Sequence, residues 1–384
     1  MAGRGILGAA PVTGDGAIAG RRAMDARSAA QNHERGLGLW ADWQGGGMNT
    51  YSYPDEALAH LLQCAQEVPA ADLLPDAQAA INGFPHDARL RTMQAILHRA
   101  CGQAEAALDA SWKALVLSPK DEIVRQELLF CVSEQMGLAA PDGHDFSLES
   151  GERQTAPHIH NIRADHRARY AWAARLLRSH FRDNSGLTGL DAFCGNGYGS
   201  RMISNLTGSR VIGIDGSTEA VELAERHYGN HLVAFGQAVF PFELTPGLFD
   251  YAVSFESVEH VPDSEALLAQ ICRSTKGPVF LSVPNERALP HADFSAQFGF
   301  HCRHFTSEDI CQFMSRLGFP YVLASAGQQV YQVQDQRLTG LLPESQMHLR
   351  PLTDHSQFIM LMFSRDGEQP VGQTANPALP GVPG

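Results

Sequence analysis

The chain has 384 residues, 44% hydrophobic and 18% charged, so it can bury a core and is not disordered as a whole. Lysine and arginine number 29 against 42 aspartate and glutamate, a formal charge of −13, which argues against nonspecific binding to nucleic acid or a membrane surface. No apolar run reaches the ~18 residues that a membrane span needs.

Residues 1–47 hold 11 glycines, show no sustained hydrophobic period and end in Gly45-Gly46-Gly47. They are expected to be disordered, and Met48 is a candidate first residue. The apolar stretch from Ile6 to Val12 is broken by glycine, unlike a secretory signal. Arg4, Arg21, Arg22, Arg27 and Arg35 give a weaker match to a mitochondrial transit peptide; the cytoplasm is the expected location. The seven cysteines form no CxxC pair, as expected of reduced thiols.

Residues 48–145 are expected to form a helical module. Leu90, Met93 and Leu97 share one helical face, as do Ala104, Ala107, Leu108, Ser111, Trp112 and Leu115. Two similar stops, Phe84-Pro85-His86-Asp87 and Ser118-Pro119-Lys120-Asp121, put prolines 119 − 85 = 34 residues apart. With Ala95, Gly102, Ala107 and Ala114, that spacing resembles one tetratricopeptide repeat with degenerate neighbours, although Arg91 and His98 stand where large residues are usual. The alternative is a plain helical bundle with proline-terminated helices.

From residue 150 to 366 short β-branched runs alternate with helical stretches. Strands are expected at Leu187–Phe193, Arg210–Asp215, Leu232–Phe235, Tyr251–Phe255 and Val279–Val283, which predicts a parallel sheet covered on both faces. A capping box, Thr306-Ser307-Glu308-Asp309, opens a helix over Ser307–Leu317, and strands at Tyr321–Ala324 and Gln357–Ser364 would close the sheet as an edge pair. Residues 367–384 are expected to be a disordered tail.

The most informative stretch is Leu190-Asp191-Ala192-Phe193-Cys194-Gly195-Asn196-Gly197-Tyr198-Gly199-Ser200. A strand leads into a glycine-rich turn that opens a helix, and the next strand ends in Asp215, 215 − 195 = 20 residues beyond Gly195. A carboxylate there accepts hydrogen bonds from ribose hydroxyls. Ser200 stands where the dinucleotide fingerprint has glycine or alanine, and Asp191 would repel a pyrophosphate while favouring a cationic donor. A nicotinamide oxidoreductase is therefore disfavoured.

The stretch resembles motif I of class I S-adenosylmethionine-dependent methyltransferases, and Val211–Asp215 resembles motif II. Gly236-Gln237-Ala238 stands where that family usually has Gly-Asp-Ala facing the adenine. The run from Phe249 to Val261 is similar to its fourth strand and following loop, and Val279–Asn285 to its fifth. Phe300-His301-Cys302-Arg303-His304-Phe305-Thr306 is similar to a segment of ubiquinone-type and polysaccharide-associated members. Gly151-Glu152-Arg153, Asp165-His166 and Arg169-Tyr170 resemble the leading helix of the glycan-associated subset, with Arg167 and Ala168 departing from it.

The resemblance implies an α/β fold: a Rossmann-like class I methyltransferase sheet with helices on both faces, preceded by a small all-α tetratricopeptide-like module. It implies S-adenosylmethionine as cofactor, bound by Asp191, Gly195, Gly197, Gly199, Asp215, Gln237, Phe255 and Glu256, with Arg169 and Tyr170 reaching its carboxylate. Phe193, in place of the motif's first glycine, is expected to make the turn bulkier. His260 and His301 are the candidate bases, with Glu259 as orienter. Glu256-Ser257-Val258-Glu259-His260 carries the ExxEH spelling associated with a divalent metal in ubiquinone-type members, but no metal is expected, because one short turn would supply every ligand. His158, His160 and His166 are too loosely spaced for a metal and are expected on a solvated or substrate-facing loop. The expected acceptor is a hydroxyl on a sugar or other small metabolite, with the helical module as a surface for a protein partner. The alternatives are an N- or C-directed small-molecule methyltransferase, and an interaction protein whose methyltransferase domain binds cofactor without turnover.

Overall fold

The computed structural model describes residues 51–136 and 154–367. The expectations for residues 1–47, for residues 368–384 and for Gly151-Glu152-Arg153 lie outside the described residues.

Five helices come first: α1 (Pro54–Cys64), α2 (Ala70–Gly83), α3 (Ala88–Ala100), α4 (Ala104–Leu117) and α5 (Glu122–Val132). Asp87 caps α3 by accepting from the Arg89 and Leu90 amides, and Asp121 caps α5 in the same way from Ile123 and Val124. The two caps are 121 − 87 = 34 residues apart, the spacing of the proline stops. Helices α1 to α3 enclose a small core of their own around Leu61, Leu73, Ile81, Leu90 and Leu97.

The remaining chain builds a seven-stranded sheet in the order β3-β2-β1-β4-β5-β9-β6. Strands β1 (Thr188–Ala192), β2 (Arg210–Asp215), β3 (Val233–Gln237), β4 (Tyr251–Phe255) and β5 (Val279–Pro284) run parallel. Strand β9 (Phe358–Ser364) enters antiparallel between β5 and β6 (Tyr321–Gln328), so the two late strands do close the sheet. Between β6 and β9 a separate hairpin forms from β7 (Tyr331–Gln334) and β8 (Arg337–Leu341).

Side chains alternate strictly between two cores. Val211, Val233, Phe235, Val253 and Phe280 face α6 (Ala164–His180), α7 (Tyr198–Thr207) and α8 (Thr218–Tyr228). Ile212, Ile214, Ala234, Ala252 and Leu281 face the other side, under α9 (Ser264–Ser274) and α11 (Ser307–Arg316). The Thr306–Asp309 capping box of α11 is formed as expected. A short helix, α10 (His291–Phe294), lies between β5 and α11.

One layer has an unexpected source. Parallel strands are usually joined through a crossover helix, yet residues 238–250, between β3 and β4, contain none. Helices α4 and α5 cover that ground instead. Trp112, Leu115, Leu128 and Leu129 share one core with Ile212, Ile214, Ala234 and, from the crossover itself, Phe242 and Leu248. The Thr245 amide donates to the Val132 carbonyl at 2.9 Å, and Arg125 pairs with Glu225 of α8. A Cβ added to Gly236 would lie 2.7 Å from Leu129 Cδ2, so glycine lets α5 press directly on β3. Among the described residues no helix is long and apolar enough to cross a membrane, and all seven cysteines are free.

Candidate functional site

In an open parallel sheet a ligand site forms at the carboxyl ends of strands where the order reverses, here between β1 and β4. The loops after those two strands open on one cavity of about 670 Å³, within the range of small-molecule sites.

The loop after β1 turns through left-handed backbone at Phe193 (φ 62°), Gly195 (φ 56°) and Gly197 (φ 84°). Phe193 thus occupies a conformation that favours glycine, at a cost of about 1 kcal/mol or more, and its ring lines the cavity. The Asp215 carboxylate accepts from the Gly195 amide at 2.9 Å and the Ser217 amide at 2.9 Å, tying the tips of β1 and β2 together. Gly195 and Asp215 both line the cavity.

Asp191 stands elsewhere than the sequence suggested. Instead of sitting at the loop's mouth it is wholly buried and does not line the cavity. It accepts from Ser200 Oγ at 2.6 Å and from Tyr170 OH at 3.3 Å, buttressing the loop from behind. Burial pushes its carboxyl up to about 7, against those two hydrogen bonds and helped by the charge of Asp215. Gly199 and Gly197 likewise serve packing: a Cβ on Gly199 would lie 2.0 Å from Tyr170 Cζ, and one on Gly197 2.5 Å from Phe235 Cζ. Gln237 donates from Nε2 to the Gly216 carbonyl at 3.2 Å and is not a cavity residue.

Phe255 and Glu256, at the tip of β4, do line the cavity. Glu256 adopts φ 51° and accepts from Ser282 Oγ at 2.7 Å. Burial raises its carboxyl above the usual range, while the Arg169 guanidinium at 3.5 Å and the Ser282 hydrogen bond oppose the rise. Arg169 is itself buried: Nε donates to Gln328 Oε1 at 2.8 Å, and the guanidinium lies over the Phe358 ring at 4.6 Å. Its Nη2 is buried without a hydrogen-bond partner, and Arg169 lines the cavity, so the guanidinium is suited to a ligand carboxylate. Asp165 lies 3.7 Å from that Nη2 and is clasped by Arg163 through two bonds of 2.6 and 2.7 Å. Burial opposes ionisation of Asp165, but the Arg163 hydrogen bond and the neighbouring cations hold its carboxyl below the usual range.

Opposite the glycine loop, a 3₁₀ turn after β4 carries Glu259 and His260, and the segment 300–304 brings His301 beside them. The rings of His260 and His301 meet edge to face with centroids 4.7 Å apart. His260 and His301 line the cavity, and Glu259 is fully buried behind them. One donor atom from each of the three lies within 4.8 Å of the others, close enough for a single divalent cation. No metal was expected from the sequence, and the ExxEH spelling pointed to Glu256, Glu259 and His260. The group that forms has His301 in place of Glu256, so its donors come from two segments rather than one turn.

Several participants were not legible. Phe298, Tyr331 and Leu338 also line the cavity, two of them from the hairpin. His304 bonds His301 from behind, at 2.8 Å. His166 lines the cavity and, chiefly through burial, is pushed down to about 3, so it is a neutral acceptor for Arg163 Nη2 at 3.2 Å. His158 and His160 stack on each other, exposed, with centroids 5.5 Å apart.

Residues 164–324 match the family model described as a methyltransferase domain. The chain is 27% identical over 174 residues to a ubiquinone biosynthesis O-methyltransferase of Pectobacterium carotovorum, covering 43% of this chain and 68% of the relative. It is 36% identical over 129 residues to the protein of the same name from Paramagnetospirillum magneticum, covering 31% and 51%. A solved S-adenosylmethionine-dependent methyltransferase from Mesorhizobium loti overlays with a TM-score of 0.39 at 18% identity, over 52% of this chain and all of that one. This chain spans about half the length of most of the curated relatives it matches. Residues 164–324 are thus a methyltransferase domain of the class I S-adenosylmethionine-dependent kind.

Proposed function

We propose that the chain transfers the methyl group of S-adenosylmethionine to a hydroxyl oxygen of a small metabolite with a largely apolar body. The observation that carries this reading is a single cavity bounded by the Gly195–Asp215 loop tips on one side and by His260 and His301 on the other. Asp215 would take the ribose hydroxyls, and the Arg169 guanidinium the methionine carboxylate. Phe240, Phe298, Phe300, Tyr331 and Leu338 line the acceptor half, which supports a flat or apolar acceptor, a phenol more than an open polyol.

The acceptor oxygen attacks the methyl carbon in line, the carbon–sulfur bond breaks with its electron pair going to sulfur, and S-adenosylhomocysteine leaves. The hydroxyl proton passes to an imidazole, His301 first among the candidates, with Glu259 offsetting the charge that develops. A divalent cation held by Glu259, His260 and His301 would act instead of that base, as a Lewis acid on the same oxygen, because a metal-bound His301 could not also take the proton. Alignment and exclusion of water do the rest. Seven free thiols support a reducing compartment, and we place the reaction in the cytoplasm. The outer helices α1 to α3 are the surface left for a protein partner.

The test is methyl transfer from isotope-labelled S-adenosylmethionine into a size-fractionated cell extract. Label in the small-molecule fraction, stable to mild base as an ether, supports the reading. Tight binding of S-adenosylhomocysteine with no label in any fraction overturns it and favours a non-catalytic role.

A further inference from the structure

We propose that His304 is a positioning residue: it fixes the tautomer of His301, holding the proton on Nδ1 so that Nε2 is the nitrogen that serves the acceptor. The inference rests on the reading of His301 as the base in methyl transfer.

The relay ends on a group that cannot donate. The Leu289 carbonyl lies 2.5 Å from His304 Nδ1, so that nitrogen carries a hydrogen and donates it. In a neutral His304 the other nitrogen, Nε2, is then a lone pair. His301 Nδ1 lies 2.8 Å from it and must supply the proton. The direction of the relay is therefore set: His301 donates to His304, which donates to Leu289. Which nitrogen of an imidazole is protonated is decided by the hydrogen bond made at the other.

The surroundings keep the relay rigid. Leu289 is fully buried beside Phe294 and Phe298, and its own amide donates to the Asn285 carbonyl at 2.8 Å. Phe298 stacks on His301 with centroids 4.7 Å apart and meets His304 edge-on. His304 is 4% exposed and does not line the cavity, so its effect on an acceptor can only pass through His301. Imidazole left to itself in water favours the opposite tautomer, with hydrogen on Nε2. Without His304 the basic nitrogen would more often be Nδ1, the one that now faces His304.

The test is nitrogen–proton correlation spectroscopy on the full chain, with histidine ring nitrogens labelled, at an alkaline pH where the imidazoles are neutral. The His301 signals are those lost in His301→Gln. The proposal expects a pyrrole-type Nδ1 and a pyridine-type Nε2 in the wild-type protein. A protonated Nε2 there overturns it without any His304 variant. His304→Phe should shift His301 towards the Nε2-protonated form and cut label transfer into the extract about tenfold or more, with S-adenosylhomocysteine affinity unchanged. His304→Gln, whose amide oxygen can still accept from Nδ1, should recover much of both. Loss of transfer in His304→Phe with the His301 tautomer unchanged also overturns the proposal. Full transfer by His301→Gln instead removes the base reading, a failure distinct from a wrong tautomer.

Discussion

Replacing Asp191 by asparagine should change how stability depends on pH, and the sign follows from burial. In the folded chain this carboxyl titrates at about 7, against 3.8 for the free group. Between those values the folded chain keeps a proton that the unfolded chain has released. Stability must therefore fall as pH rises from about 4 to about 7 and then level off. The interval is 7 − 3.8 = 3.2, which at ~1.36 kcal/mol each corresponds to at most about 4 kcal/mol. Asparagine has nearly the same shape and can still bond Ser200 and Tyr170, but it does not titrate. Urea unfolding of both proteins without cofactor, across that range, isolates Asp191, because Asp165 and Glu256 titrate in both. The variant should be the more stable protein at neutral and alkaline pH, with the gap closing as pH falls. Above about pH 7, where the wild-type carboxyl is ionised, the variant's affinity for S-adenosylmethionine should be about tenfold lower, since the negative charge behind the loop favours a cationic donor. Parallel stability curves for the two proteins would refute the claim that this carboxyl is forced to hold its proton.

Other parts of the site make separate predictions. Gly199→Ala should destabilise by about 1–3 kcal/mol in chemical unfolding, because the added Cβ would lie 2.0 Å from the Tyr170 ring. Arg169→Gln should weaken S-adenosylhomocysteine binding by about tenfold or more while leaving methylthioadenosine, which lacks the amino-acid portion, little changed. Equal losses for the two ligands in calorimetry would count against a carboxylate at Arg169. His301→Gln should slow label transfer by about a hundredfold with cofactor affinity preserved. Trp112→Ala, in the shared core, should cost about 3–5 kcal/mol and lower the single unfolding transition of the whole chain. Two separate transitions would show that the helices and the sheet melt independently.

The sheet was legible because it is covered on both faces: apolar runs such as Val211–Ile214 and Val279–Val283 leave little choice but a buried parallel strand. The glycine loop was legible because left-handed turns leave a mark in the residue types. The roles of individual glycines were not, since Gly197 and Gly199 answer to Phe235 and Tyr170, partners distant in the chain. Asp191 was placed at the wrong side of its loop because the sequence orders residues along the strand without saying which side chain turns inward. The β7–β8 hairpin escaped notice because its strands are only four and five residues long, so the alternation of Tyr331-Gln332-Val333-Gln334 is too brief to stand out. His304 could not be singled out because its anchor is a backbone carbonyl 15 residues away, and carbonyls have no letter in the sequence.

The borrowed layer over β1, β2 and β3 has a consequence for synthesis. Helices α4 and α5 leave the ribosome first, with Trp112, Leu128 and Leu129 facing a surface that has not yet been translated. Arg125 waits 100 positions for Glu225. The nascent helices must stay greasy on one side until the third strand emerges, a window in which a chaperone has something to hold. Conversely, a shortened gene beginning near residue 154 would yield a sheet bare over β1, β2 and β3 on one face, and a product that clumps rather than a minimal enzyme.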